Sequence, residues 1–202
     1  MLGQQFDGVP GCDYFGAYRR FLREFDVTLQ FCLAHLIRDV KFLMTLPGKK
    51  EQAYGTRLRD ALRTLFRVIH QREQMSSVEF QTQLEAARDG VLRAGKQDVP
   101  ASRQAQAMAK RLQTHGKSYF TFVTTPGVQP TNNLAEQAIR FVVIDRHITQ
   151  GTRSEAGQRW CERIWTVIAT CTQQGRSVFD YLHAAVQAYF GDGCVPSLLA
   201  EG

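Results

Sequence analysis

Two spacings of apolar and polar positions alternate along the chain. Near the start, Val27-Thr28-Leu29-Gln30-Phe31-Cys32 alternates with β-branched and aromatic content, the pattern of a half-buried strand. Upstream, Gly8-Val9-Pro10-Gly11-Cys12-Asp13 is a short turn-rich segment ending in an acid. Tyr14 to Glu24 between them can form a helix. The predicted order is strand, helix, strand, which suits a parallel or mixed sheet with a helical crossover. From Leu33 the period becomes helical, with Leu33, Leu36, Ile37, Val40, Leu43 and Met44 on one face and Pro47-Gly48 ending the segment.

A second helix carries Leu58, Ala61, Leu62, Leu65 and Ile69 as its stripe. A third opens on Ser76-x-x-Glu79 and stops near Gly95, the spacing of a capping box and of a glycine stop. A fourth runs from about Ser102 to His115. Residues 45–117 therefore form a polar, helix-rich block without strand signals, which reads as an insertion or subdomain. Tyr119 to Val123 is a brief aromatic and β-branched run broken by Thr124-Thr125-Pro126-Gly127. Pro130-Thr131-Asn132-Asn133 then reads as a turn feeding a helix from Leu134 to about Arg140. In the last third, Trp160, Ile164, Val167, Ile168 and Cys171 keep helical spacing after Ser154, Gly175 is a natural stop, and Ser177-x-x-Asp180 opens a final helix.

Composition narrows the class only coarsely. With 25 Lys and Arg against 19 Asp and Glu over 202 residues, the formal charge is +6, and 44% of residues are hydrophobic. Those values exclude disordered, collagen-like and disulfide-dense chains. Five cysteines, an odd number without a C-x-x-C pair, fit a reducing compartment. No apolar run approaches the ~18 residues of a membrane span, and Met1 to Asp7 has neither the basic flank nor the apolar core of a leader. A soluble, intracellular protein is expected. The positive balance permits a polyanionic partner without establishing one.

Five groups of residues could carry chemistry. Asp13, at the end of a short strand, stands where phosphoryl-transfer folds place a metal ligand, or else it caps the helix that follows. Asn133-Leu134-Ala135-Glu136 matches a capping box in which Glu136 reaches back to the Asn133 amide; two asparagines, an acid and Arg140 nevertheless share one helix turn beside a breaker-rich loop. Cys32 and His35 have a spacing compatible with two zinc ligands, but no second pair completes a tetrahedral site. Cys12, His115, His147 and Cys161 are scattered, so a buried thiol and a hydrogen-bonded imidazole are preferred. Arg59, Arg63 and Arg67 recur at helical spacing, a ridge for phosphates or simply a solvated face. A second basic cluster includes Arg140, Arg146, His147, Arg153 and Arg159, and Gly151-Thr152-Arg153-Ser154 supplies a helix start where backbone amides could meet a phosphate. P-loop, dinucleotide, nucleophile-elbow and zincin motifs are absent.

Taken in order, these pieces resemble the transposases of the insertion sequence 66 family. Cys12-Asp13-Tyr14-Phe15-Gly16-Ala17-Tyr18 matches a Ser/Cys-Asp-x-x-x-Ala-Tyr segment, and Cys32-Leu33-Ala34-His35-Leu36-Ile37-Arg38 matches Cys-x-x-His-x-x-Arg. The most specific match is Asn132-Asn133-Leu134-Ala135-Glu136-Gln137-Ala138-Ile139-Arg140 to Asn-Asn-x-x-Glu-x-x-x-Arg. Gly151-Thr152-Arg153-Ser154, Gly157 and the helix through Thr170-Cys171 resemble that family's C-terminal portion.

The resemblance implies an α/β, helix-dominated fold: an incomplete ribonuclease H-like core interrupted by an all-helical insertion. Residues 1–44 would be partial core with the second acid of an Asp-Asp-Glu triad, 45–117 the insertion, and 118–202 the C-terminal core helices with the third acid. Asp13 and Glu136 would then be catalytic metal ligands for Mg²⁺ or Mn²⁺, with Asn132, Asn133, Cys32 and His35 in support. Arg59, Arg63, Arg67, Arg140 and Arg153 would contact DNA in a bacterial cytoplasm. The family's first Asp lies on an earlier strand, and Asp7 does not replace it, because an extended 7–13 segment puts it ~20 Å from Asp13 at ~3.3 Å per residue. The expectation is the C-terminal part of a DNA cleavage and strand-transfer enzyme, from a truncated or split reading frame, inactive or nearly so alone, and prone to oligomerise or to need a complementing transposase chain. The alternative is a non-catalytic helical module that binds DNA or another transposase chain.

Overall fold

Alternating residues make a strand only where a neighbour can take their backbone hydrogen bonds. In the computed structural model, which describes residues 7–25, 27–191 and 193–199, that neighbour is short. β1 (Gly11–Cys12) pairs in parallel with β2 (Gln30–Phe31), Gly11 opposite Gln30 and Cys12 opposite Phe31. The Gln30 amide donates to the Pro10 carbonyl at 3.0 Å and the Cys32 amide to the Cys12 carbonyl at 2.7 Å. Pro10 can accept but has no N–H to return, so the ladder stops there. The crossover between the strands carries α1 (Gly16–Glu24), as the strand, helix, strand order requires. The opening stretch 1–6, expected to lack a leader's pattern, lies outside the described residues.

The helical period resumes at Leu33, as predicted. α2 (Leu33–Thr45), α3 (Lys49–His70), α4 (Ser77–Lys96) and α5 (Arg103–Tyr119) each bury one stripe. Leu36, Val40, Leu58, Leu62, Leu84 and Leu112 are central to the core they share with Cys12 and Phe31 of the strand pair. The Ser76 hydroxyl accepts the Glu79 amide at 3.2 Å, so the predicted capping spacing forms. Tyr54 of α3 donates its hydroxyl to the Gly95 carbonyl at 2.8 Å, and Arg57 reaches the carbonyls of Ala94 and Gln97. A cation thus closes the C-terminal end of α4, where unpaired carbonyls favour positive charge.

Gly55 marks the closest approach of α2 and α3. A Cβ there would lie 2.8 Å from Met44 Cγ, 3.1 Å from Leu43 Cβ and 3.2 Å from the Met44 backbone nitrogen, whereas one at Gly90 of α4 would meet nothing within 4 Å. Alanine in a helix gains ~1 kcal/mol over glycine, and overpacking costs ~1–3 kcal/mol. The two substitutions should therefore differ in sign. Gly90→Ala is expected to raise the melting temperature and Gly55→Ala to lower it; a gain from both would show that α2 yields freely.

The aromatic run after α5 is helical. Phe120 ends α5's course, α6 (Thr121–Thr124) follows as one turn, and Thr121, buried, donates its hydroxyl to the Leu29 carbonyl at 2.8 Å. Tertiary hydrogen bonding to the β2 segment overrides the β propensity of Phe122 and Val123.

The chain forms two compact units, the first ending at Asn133 and the second beginning at Leu134. The second unit holds α7 (Asn133–Thr149), whose first residue belongs to the boundary, α8 (Glu155–Gln173) and α9 (Val178–Phe190). Its punctuation follows the sequence: Ser154 accepts from the Gly157 amide at 3.1 Å and Ser177 from the Asp180 amide at 3.2 Å. Gly175 takes φ +66° while the Arg176 amide returns to the Cys171 carbonyl at 2.8 Å, a left-handed stop that glycine adopts without a Cβ penalty. α7 continues to Thr149, well past Arg140, with Phe141 stacked on Trp165 of α8 at 6.4 Å. Among the described residues the fold is helix-dominated with one small parallel sheet. Among the described residues no helix is long and apolar enough to cross a membrane.

Candidate functional site

The carboxyl edge of the strand pair gathers the first group of predicted residues. Asp13 directly follows β1 and Cys32 directly follows β2, so the parallel register sets them side by side along that edge. One Asp13 carboxylate oxygen, Oδ1, accepts the Phe15 amide at 3.0 Å. The turn use of this residue is therefore real, and it fixes the carboxylate's direction while leaving its second oxygen outside that bond. Asp13 is half-buried and joins no ion pair among the described residues. In open α/β sheets ligands bind at this edge. A half-buried carboxylate there has the oxygen chemistry that Mg²⁺ and Mn²⁺ prefer.

The Asn-Asn segment is tied to the same edge. The Leu33 amide donates to the Pro130 carbonyl at 2.9 Å, and the Asn132 amide points at Cys32 Sγ at 3.5 Å. Cys32 is buried at the N-cap position of α2, a core thiol whose described partner is a backbone amide. His35 lies one turn along α2, half-buried. The helix begins at Asn133 itself, so Asn132 occupies the flanking position and the box spacing starts one residue earlier than Asn133-to-Glu136 implies. The Asn132 side-chain oxygen is buried without a hydrogen-bond partner. A buried acceptor left open costs ~1–3 kcal/mol, so it stands ready for a donor. In the second unit Glu136 is half-buried on α7.

The arginine row is only partly free. α3 turns its leucines inward and Arg63 and Arg67 outward, but Asp60 lies 2.9 Å from Arg59 and 3.9 Å from Arg63. Arg140 on α7 and Arg153 before α8 are both exposed.

Spacing alone missed a basic cleft of about 680 Å³ between α1, α2 and α5. Its floor is Arg111, whose side chain is only 10% exposed and lies 2.7 Å from the Asp39 carboxylate. Arg111 also donates to the Tyr119 hydroxyl, and its guanidinium carbon sits 3.9 Å from the centre of the Tyr14 ring, with that of Arg19 at 4.7 Å. His115 shares the wall; burial first, then Arg19, Arg111 and Arg23, hold its pKa below the usual value. The i to i+4 pairs Arg19 with Arg23 and Arg111 with His115 are visible in the sequence. What the sequence does not show is that the two helices face each other.

The motifs and their order point to a transposase. A family model described as Transposase IS66 family matches residues 1–159, and the chain belongs to that family. The match spans Asp13, Cys32, His35, Asn132, Asn133, Glu136, Arg140 and Arg153. No match was found among curated proteins or among solved structures.

Proposed function

We propose that the chain is part of the catalytic domain of a DNA transposase that cleaves and joins DNA with divalent metal, and that Asp13 and Glu136 are the second and third acids of its triad. The strand pair is then a portion of a ribonuclease H-like core, with 1–44 and 118–202 contributing core elements around a helical insertion at 45–117. The observation that carries this reading is Asp13 at the carboxyl edge of a parallel strand, level with Cys32, to which the Asn-Asn segment is bonded. Family membership supports DNA as the partner.

Asp13 and Glu136 would hold the Mg²⁺ or Mn²⁺, which when bound activates the attacking hydroxyl and stabilises the leaving oxygen. The chain's own contribution is orientation: the Phe15 amide holds one oxygen of Asp13, and Asn132 and Asn133 set the start of the helix that carries Glu136. In this reading neither Asp13 nor Glu136 is the triad's first acid, so these two acids alone are expected to give little or no activity, and a second chain bearing the first acid to restore it. The test is a cleavage and strand-transfer assay with Mg²⁺ or Mn²⁺, with and without such a chain. Glu136→Gln and Asp13→Asn should each abolish the restored activity with unchanged circular dichroism. Robust activity that survives Glu136→Gln would overturn the assignment.

A second reading, a helical DNA-binding module without chemistry, is favoured by the exposed Arg63 and Arg67 on α3. Each lost phosphate contact lowers the slope of log affinity against log salt by about 1. Arg63→Ala with Arg67→Ala should remove about 2, and Arg59→Ala less, since Asp60 already holds it. An unchanged slope would leave α3 as a solvated face.

A further inference from the structure

The cleft between α1, α2 and α5 has a charge that its own residues do not balance. Among the described residues, Arg19, Arg23, Lys110 and Arg111 line it against a single carboxylate, Asp39. Arg111 spends two of its nitrogens on Asp39 and Tyr119; its third, Nη2, is buried without a hydrogen-bond partner. A guanidinium is charged under all ordinary conditions, and a buried donor left unmatched is costly. Two guanidinium groups, those of Arg19 and Arg111, also lie over the Tyr14 ring, and an anion in the cleft would be attracted to both.

We propose that this cleft seats a phosphate group, with Arg19, Arg23 and Lys110 neutralising it and Arg111 Nη2 donating to it from the floor. Phosphate fits because its oxygens accept several N–H groups at once, and guanidinium groups match that geometry. His115 on the same wall can add one N–H as a neutral imidazole. The cleft is lined only by residues between Tyr14 and His115, and neither Asp13 nor Glu136 is among those lining it. Its phosphate has two sources, free phosphate or a phosphodiester of bound DNA; the second rests on the DNA reading above.

The His115 imidazole supplies the readout. In the full chain its ring proton is followed by NMR against pH, assigned with His115→Gln, at matched ionic strength in chloride, in inorganic phosphate, and with a short DNA oligonucleotide. A phosphate beside it should raise its pKa, by about one unit, since a nearby anion favours the imidazolium. Arg19→Gln with Arg23→Gln, both exposed residues, should raise the starting value because two repelling cations are gone, and should abolish the further rise with phosphate. Oligonucleotide producing the same rise, and competing with phosphate, places a DNA phosphodiester in the cleft. A rise with phosphate alone supports the site while removing DNA as its source. No rise with either overturns the proposal, and because the α3 arginines are untouched, DNA binding measured by anisotropy in the same samples still reports separately on the DNA reading.

Discussion

Gln30→Leu is expected to destabilise the 1–133 unit by about 3–5 kcal/mol, the middle of the range that two or three orphaned groups at ~1–3 kcal/mol each would give. Gln30 is 1% exposed, yet its side chain makes three bonds. Nε2 donates to the carbonyls of Phe31 at 2.8 Å and Tyr119 at 2.9 Å, and Oε1 accepts the Phe122 amide at 2.9 Å. One side chain thus closes the break between α5 and α6 onto β2. Leucine fills similar space but satisfies none of the three. Gln30→Glu should be worse at neutral pH, because a carboxylate would face two carbonyl oxygens. Burial and those carbonyls would raise its folded pKa above the unfolded ~4.3. The relative stability of Gln30→Glu is then greatest below about pH 4 and is lost as pH rises through the raised value. Urea melts by circular dichroism at pH 4 and pH 7, with hydrogen exchange on α5, check both substitutions; a loss under 1 kcal/mol for Gln30→Leu would show that water or a shifted backbone replaces the clamp.

That clamp explains why the helices are legible in the sequence and the segment after them is not. Leu36, Val40, Leu58 and Leu62 announce their helices because the period of an amphipathic stripe is local, and Ser76, Ser154 and Ser177 announce the starts for the same reason. Phe120-Thr121-Phe122-Val123 has strand propensity, and only Gln30 and the Leu29 carbonyl, about 90 residues earlier in the chain, turn it into a helical turn. The strand pair is legible in order and sense but not in length, since nothing in 27–32 reveals that Pro10 ends its partner's ladder. Of the candidate site, motif resemblance finds Asp13 and the Asn-Asn segment, while their link through Cys32 Sγ and the Asn132 amide is a tertiary fact. The basic cleft is illegible because Arg111 and Asp39 are 72 residues apart.

Arg111→Leu is expected to cost about 2–4 kcal/mol, more than its surface charge would suggest. Exposed ion pairs are worth ~0–1 kcal/mol, and Asp39, 40% exposed, keeps enough water to tolerate losing its partner. The larger part comes from elsewhere. Tyr119 is buried and its hydroxyl would lose the Arg111 donor, and the guanidinium contacts with the Tyr14 and Tyr119 rings, at 3.9 and 5.1 Å, would go at ~0.5–2 kcal/mol each. Leucine returns some apolar burial, so the net falls below the sum. Arg111→Lys separates charge from shape: an ammonium can meet Asp39 but cannot also lie flat on Tyr14 and reach Tyr119, and it should recover less than half of the loss. Full recovery by lysine would mean that the Asp39 pair alone matters. His115 gives a second, independent reading of the same substitution. Arg111 is one of the charges that lower its pKa, so Arg111→Leu should raise that value, whereas an unchanged value would show that burial with Arg19 and Arg23 holds it down without Arg111.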